Sequence, residues 1–154
     1  MKINSIFLSK EKKRELEKEL EKLETTGRKE LAEKLAKARE LSWSDDDAEL
    51  IMTIDEKNEL EGRISEIRDL LFRARITKKE CKTTADIGSE VIVANGKSIV
   101  VYKLVSSVEV DPEKYKVSVD SKVGKKLQGL KAGDKVKLTN PDGVEQEYTV
   151  LYIC

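Results

Sequence analysis

The chain has 154 residues, enough for one ordinary domain or two small ones whose cores need no disulfide or metal staple. Its 30 basic and 30 acidic residues cancel, so overall charge gives no reason to expect a nucleic-acid or membrane partner, and any electrostatic function must come from where the charges sit. Histidine is absent, which removes the commonest catalytic base and transition-metal ligand; Cys81 and Cys154 make one pair at most, show no CxxC or Cys/His spacing, and are expected to be reduced thiols.

Met1 to Leu8 carries one lysine and a short apolar patch, without the long apolar core or small-residue cleavage site of a secretory signal. No apolar run approaches the roughly 18 residues that a membrane span needs. A cytoplasmic protein is expected. From Ser9 to about Leu41 the chain is rich in Glu, Lys, Leu and Ala, with Leu16, Leu20 and Leu23 and then Leu31, Leu35 and Ala38 spaced four and three apart. That spacing predicts a helix with a narrow apolar seam, capped at its start by Ser9. Thr25, Thr26 and Gly27 interrupt the good helix formers and shift the phase of the seam, so a kink or short break is expected there.

A second helical stretch runs from about Asp47 to Ile76, where Leu60, Ile64, Ile67, Leu71 and Ala74 repeat the spacing. The short polar segment SWSDDD at 42–47 joins the two seams into an antiparallel hairpin, a rod about 45 Å long at the usual helical rise. Such a rod has little core of its own and must project or pack on something. From about Thr83 the period becomes two, with strand-like runs at 91–93, 99–102, 116–119, 135–138 and 148–153. Asn95-Gly96 and Asn140-Pro141-Asp142-Gly143 are chain reversals, and 121–130 has room for one short helix before the Gly133-Asp134 turn. The expected fold class is α+β. A helical coiled-coil hairpin occupies 1–76 with its tip at 42–49, a linker follows at 77–83, and a small antiparallel β-sheet domain with one short helix fills 84–154.

Charge is unevenly placed along the hairpin. Residues 1–39 carry 12 Lys or Arg against 8 Glu, a net of +4, and residues 62–76 carry 4 Arg against 2 acids, a net of +2. Between them, residues 40–61 carry nine acids against Lys57 alone, a net of −8. Three successive aspartates, Asp45, Asp46 and Asp47, repel one another unless something cationic relieves them. Aspartate is also favoured at a helix N-cap, which accounts for one or two of the three but not for the further acids through Glu61. With no glycine at the sharp turn the loop does not match a calcium-binding EF-hand, so the acids are better suited to completing a metal site that a partner supplies. Trp43 sits in the same turn, where it closes the hairpin end against Ile51 or Met52 or enters a partner. Arg63, Arg68, Arg73 and Arg75 read as a solvated helix face. Residues 77–154, with 13 basic and 11 acidic residues, carry no DNA-reading motif.

AEKLAKARE at 32–40, the acidic turn, LEGRISEIRDLL at 60–71 and VSVDSKVGKKLQGLKAGDKVKL at 117–138 together resemble the Gre family of bacterial transcription elongation factors over nearly the whole chain. Ser121, Gly124, Leu127, Gly129, Gly133 and Asp134 follow the spacing of the family's second domain, whose fold resembles FK506-binding prolyl isomerases. The resemblance implies a factor that is not itself an enzyme. It would bind bacterial RNA polymerase as a monomer, without sequence-specific DNA binding or a membrane, and pass its hairpin down the secondary channel toward the nascent RNA. The tip carboxylates Asp45, Asp46 and Asp47 would assist cleavage of backtracked RNA, Asp45 and Asp46 sharing Mg²⁺ with the polymerase. Trp43, Ser44 and Glu49 would be tip contacts, and Ser121, Gly124, Gly133 and Asp134 would dock on the polymerase.

The tip departs from the usual family sequence G-D-L-S-E-N-A-E-Y. Its first acid falls on Trp43 and its second on Asp46, and an Asp-rich tip also resembles homologues that enter the channel and inhibit. In the second domain the family's Ser-Pro is Ser121-Lys122. A prolyl isomerase or chaperone module is the alternative from another class, suggested by the second domain's fold alone.

Overall fold

A computed structural model describes residues 5–42, 47–77, 81–140 and 142–154. The chain divides into two compact units, one built on Lys13–Ala74 and the other on Arg75–Cys154 together with residues 5–12. Among the described residues no helix is long and apolar enough to cross a membrane.

The first unit is helical: α1 (Lys10–Lys22), a π-helical turn (Leu23–Gly27), α2 (Arg28–Leu41) and α3 (Ala48–Arg73). Ser9 caps α1 as its side chain predicts, its hydroxyl oxygen accepting from the Lys12 amide at 3.1 Å. At the expected break the chain stays helical but widens. Leu23, Gly27, Leu31 and Leu35 follow one another in steps of four, and each step overshoots a 3.6-residue turn. A wider turn with one additional residue cancels that drift and keeps the seam facing α3. Gly27 is the close approach in this turn, since a Cβ there would lie 3.0 Å from Leu60 Cδ1. The buried seam runs through Leu16, Leu35 and Ala38 on one arm and Leu50, Thr53, Ile64, Ile67 and Leu70 on the other.

α3 stops three residues before the helical spacing does. Ala74–Ile76 form β2, which pairs with β1 (Ile6–Leu8) in a two-stranded sheet, and the Thr77 amide donates to the Leu8 carbonyl at 2.9 Å. A partner strand about 70 residues away has overridden the local helical pattern.

The second unit holds a five-stranded sheet in the order β5-β4-β3-β7-β6, with β3 at Glu90–Asn95, β4 at Ser98–Val105, β5 at Lys116–Ser118, β6 at Lys135–Thr139 and β7 at Glu145–Ile153. Three pairings are antiparallel, but β5 runs parallel to β4 with Leu104 opposite Val117, so the sheet is mixed. Two 3-10 turns, at Ser107–Glu109 and Pro112–Lys114, reverse the chain between these strands, and Tyr115 takes the left-handed conformation with φ 52°. The alternation of the strands puts Val91, Val93, Tyr102, Leu104, Leu138, Tyr148 and Val150 on the inner face, closed by Leu127 of the short helix α4 (Lys122–Leu127).

Cys81 and Cys154 are joined in a disulfide, which corrects the expectation of two free thiols. Tertiary placement decides this. The Cys154 amide and carbonyl pair with the carbonyl and amide of Glu90 at 2.9 and 2.6 Å, and the chain entering the second unit brings the Cys81 Cα within 3.9 Å of that of Cys154.

Candidate functional site

At the end of the hairpin, α2 closes on Leu41 and the chain turns extended at Ser42, whose amide donates to the Ala38 carbonyl at 3.0 Å. α3 opens at Ala48 behind Asp47. The Asp47 Oδ1 accepts from the amides of Glu49 at 2.9 Å and Leu50 at 3.4 Å, so this carboxylate is a helix cap. Trp43, Ser44, Asp45 and Asp46 lie outside the described residues. Glu49 is exposed in the first turn of α3, where its carbonyl accepts from the Thr53 hydroxyl at 2.8 Å. Leu41, Ile51 and Met52 are left in solvent beside the tip, Met52 at 64% exposure. Among the described residues no three acids gather into a metal-holding group. Carboxylate oxygens such as those of the tip are the hard donors that Mg²⁺ takes, and the Asp47 Oδ1 is engaged in capping.

Arg63, Arg68 and Arg73 of the expected solvated helix face are partly exposed and engaged in ion pairs. Arg63 forks onto Glu19 at 2.7 and 3.0 Å and reaches Glu66 at 2.8 Å; Arg68 donates to Glu24 at 2.8 Å; Arg28 holds Glu61 through two bonds of 2.8 and 2.7 Å; Lys34 meets Glu56 at 2.6 Å. Arg73 pairs with Asp69 four residues before it, and Arg75 donates to the Ser5 hydroxyl at 3.0 Å. The hydrogen bonds from Arg28 hold the Glu61 carboxyl below the usual carboxylate value, while those to Glu19 and then Glu66 raise Arg63. The cross-helix bridges tie the arms together, and two of them, Arg28–Glu61 and Lys34–Glu56, draw on acids of the 40–61 stretch.

In the second unit the four residues proposed from the sequence as docking groups build turns. The Ser121 hydroxyl accepts from the Gly124 amide at 3.0 Å and donates to the Ser118 carbonyl at 2.6 Å, capping α4. Gly124 is buried against that same turn, where a Cβ would lie 1.9 Å from the Ser118 oxygen. Gly133 has φ +94°, which an L side chain rarely adopts, and its amide donates to the Val150 carbonyl at 2.7 Å. The Asp134 carboxylate accepts from the Lys131 amide at 2.8 Å, closing the same turn. Ser121 and Gly124 therefore stand together, as do Gly133 and Asp134.

Glu109 was not singled out in the sequence. It is 5% exposed, accepts the Ser9 amide at 3.0 Å and the Ser9 hydroxyl, and has Lys116 Nζ at 3.9 Å. It thereby fixes the residue that caps α1 within the second unit. The partner is 100 residues away in sequence, and no local pattern around Glu109 announces it.

Two family models match the chain: "Transcription elongation factor, N-terminal" over residues 6–76 and "Transcription elongation factor, GreA/GreB, C-term" over residues 80–154. Transcription elongation factor GreA of Acetivibrio thermocellus is 38% identical over 143 residues, covering 90% of each chain, and that of Chlorobaculum tepidum is 38% identical over 153 residues, covering 96% of each. Among solved structures, GreA factor homolog 1 (Gfh1) of Thermus thermophilus is 28% identical with a TM-score of 0.45, covering 97% of this chain and 99% of its own.

Proposed function

Because this chain belongs to the GreA/GreB family of transcription elongation factors, we propose that it acts on bacterial RNA polymerase by carrying its tip carboxylates through the secondary channel to stimulate cleavage of backtracked RNA. The observation that carries this reading is the net charge of −8 over residues 40–61, which includes the run Asp45–Asp47 as well as Glu56 and Glu61, paired with Lys34 and Arg28 across the hairpin. Such a run of like charge is relieved when a partner supplies a cation.

The Asp47 Oδ1 caps α3, and the ligand role is assigned to Asp45 and Asp46. Mg²⁺ shared with the polymerase would polarise the attacking water and steady the leaving oxygen of the RNA. The hairpin orients the acids, the cross-helix pairs hold its arms in register, and the four turn residues Ser121, Gly124, Gly133 and Asp134 shape the surface of the second unit offered for docking. The protein in this reading lends ligands to an enzyme and is not one itself. It works as a monomer and makes no sequence-specific contact with DNA.

A second reading, inhibition from within the channel, is favoured by Trp43 standing where cleavage-stimulating members carry an acid, with exposed Leu41 and Met52 flanking the same end. The two separate in one assay on stalled, backtracked complexes of cognate polymerase. Shortened transcripts in the presence of the protein support cleavage stimulation. Intact transcripts together with slowed nucleotide addition replace it with the inhibitory reading, and neither effect removes both.

A further inference from the structure

The stretch that enters the second unit is anchored at both ends by backbone hydrogen bonds. At one end the Thr77 amide and hydroxyl both donate to the Leu8 carbonyl, at 2.9 and 3.3 Å. At the other, Ala85 exchanges two bonds with the α4 exit, its amide to Leu130 at 2.9 Å and its carbonyl from Gly129 at 2.7 Å. Between these anchors, among the described residues, the ties are the disulfide of Cys81 to Cys154, the neighbouring contact of Tyr152 with the Cys81 sulfur at 3.9 Å and an exposed Lys82–Asp86 pair at 3.5 Å. An exposed ion pair contributes little. The disulfide is the strong tie.

We propose that Cys81–Cys154 is a reversible thiol–disulfide exchange site, open to small thiol and dithiol reductants, whose state decides how firmly the segment at 81–84 is held to the sheet. Cys81 is the exposed member, so an incoming thiolate meets its sulfur first. Attack breaks the S–S bond, forms a mixed disulfide on Cys81 and releases Cys154 as thiolate, which takes up a proton. A second thiol, from the same dithiol or from a second monothiol molecule, then attacks the reductant's sulfur in the mixed disulfide, forming the reductant's disulfide and releasing Cys81. Two electrons and two protons pass to the protein. The reverse reaction, with a disulfide such as oxidised glutathione as oxidant, restores the bond and returns two thiols to the glutathione pair.

Cys154 is ready for that return because its backbone hydrogen bonds with Glu90 do not depend on sulfur. The apolar core of the second unit is likewise built from residues other than the cysteines, so reduction frees the segment without requiring the sheet to open. This differs from a bond that only staples the core.

The test uses the full chain equilibrated in glutathione buffers from fully reducing to fully oxidising, acid-quenched and alkylated, with free thiols counted by intact mass. In parallel, the rate of tryptic cleavage after Lys82 is followed in each form. The expected result is passage between no and two alkylated thiols, with cleavage after Lys82 faster by on the order of tenfold in the reduced form. Cys81→Ser and Cys154→Ser should cleave at the reduced rate whatever the buffer, and circular dichroism of the reduced wild-type chain checks that the sheet persists. Two alkylated thiols at every buffer ratio overturn the proposal, as does equal cleavage of the oxidised and reduced chains. Neither readout involves polymerase, so failure here leaves the proposed function standing.

Discussion

Removing the Asp47 carboxylate leaves two amide donors at the start of a 26-residue helix without their partner. Asp47→Ala is therefore expected to lower stability by about 1 kcal/mol in chemical denaturation, whereas Asp47→Ser, which keeps a capping oxygen and drops the charge, should stay near wild type. If Asp47 works mainly as a cap, the serine variant also retains transcript cleavage. At Gly124 the obstacle is backbone, since an added methyl group meets the Ser118 carbonyl and the chain at Val119. Gly124→Ala should cost about 3 kcal/mol or more, read as a lowered denaturation midpoint of the second unit. The caps at Ser9 and Asp47 were legible in the sequence because capping is a rule about neighbours a few residues apart. Glu109 was not, because its partner is set by the fold; the Gly133-Asp134 turn was read from the sequence, while the cap that Ser121 forms emerges only when the hydrogen bonds are seen.

The helical hairpin and the strands follow from their periods of 3.6 and two, and the strand runs fall where the alternation puts them. What the period does not carry is long-range pairing. β1 and β2 form from segments that read as an apolar patch and a helix end, and β5 lies parallel to β4 through a reversal with no hairpin signature. The phase slip at Thr25–Gly27 was legible, but its resolution as a π turn depends on α3 demanding a continuous seam. The stem pairs carry a pH dependence at this scale. Glu61 has a folded-state pKa depressed below 4.5 by Arg28, so its contribution is present above the unfolded value and is lost as pH falls through the folded one. Helical circular dichroism of the wild type should weaken over that acid range, and Arg28→Gln should flatten the Glu61 part of the loss. The exposure of the pair keeps the effect small.

Across the whole molecule, the cancellation of charge conceals an arrangement in which one stretch of hairpin carries −8 and the flanking arms carry the opposite sign. The sequence changes period near residue 83, and the structure groups residues 5–12 with the sheet unit, through β1 and the Ser9 contacts with Glu109. That return of the N-terminal strand could not be seen from local pattern. The disulfide escaped for the same reason, with 73 residues separating its cysteines. The acidic tip needed only counting, and it is the tip that bears the functional claim. The most direct measurement is cleavage of a backtracked transcript by cognate polymerase across a Mg²⁺ titration, with the wild-type protein and with Asp46→Ala. The wild type is expected to lower the Mg²⁺ needed for cleavage, as the proposed function requires, and Asp46→Ala to lose this effect while still binding the polymerase. An Asp46→Ala protein that supports cleavage with the same Mg²⁺ dependence as wild type would contradict that function.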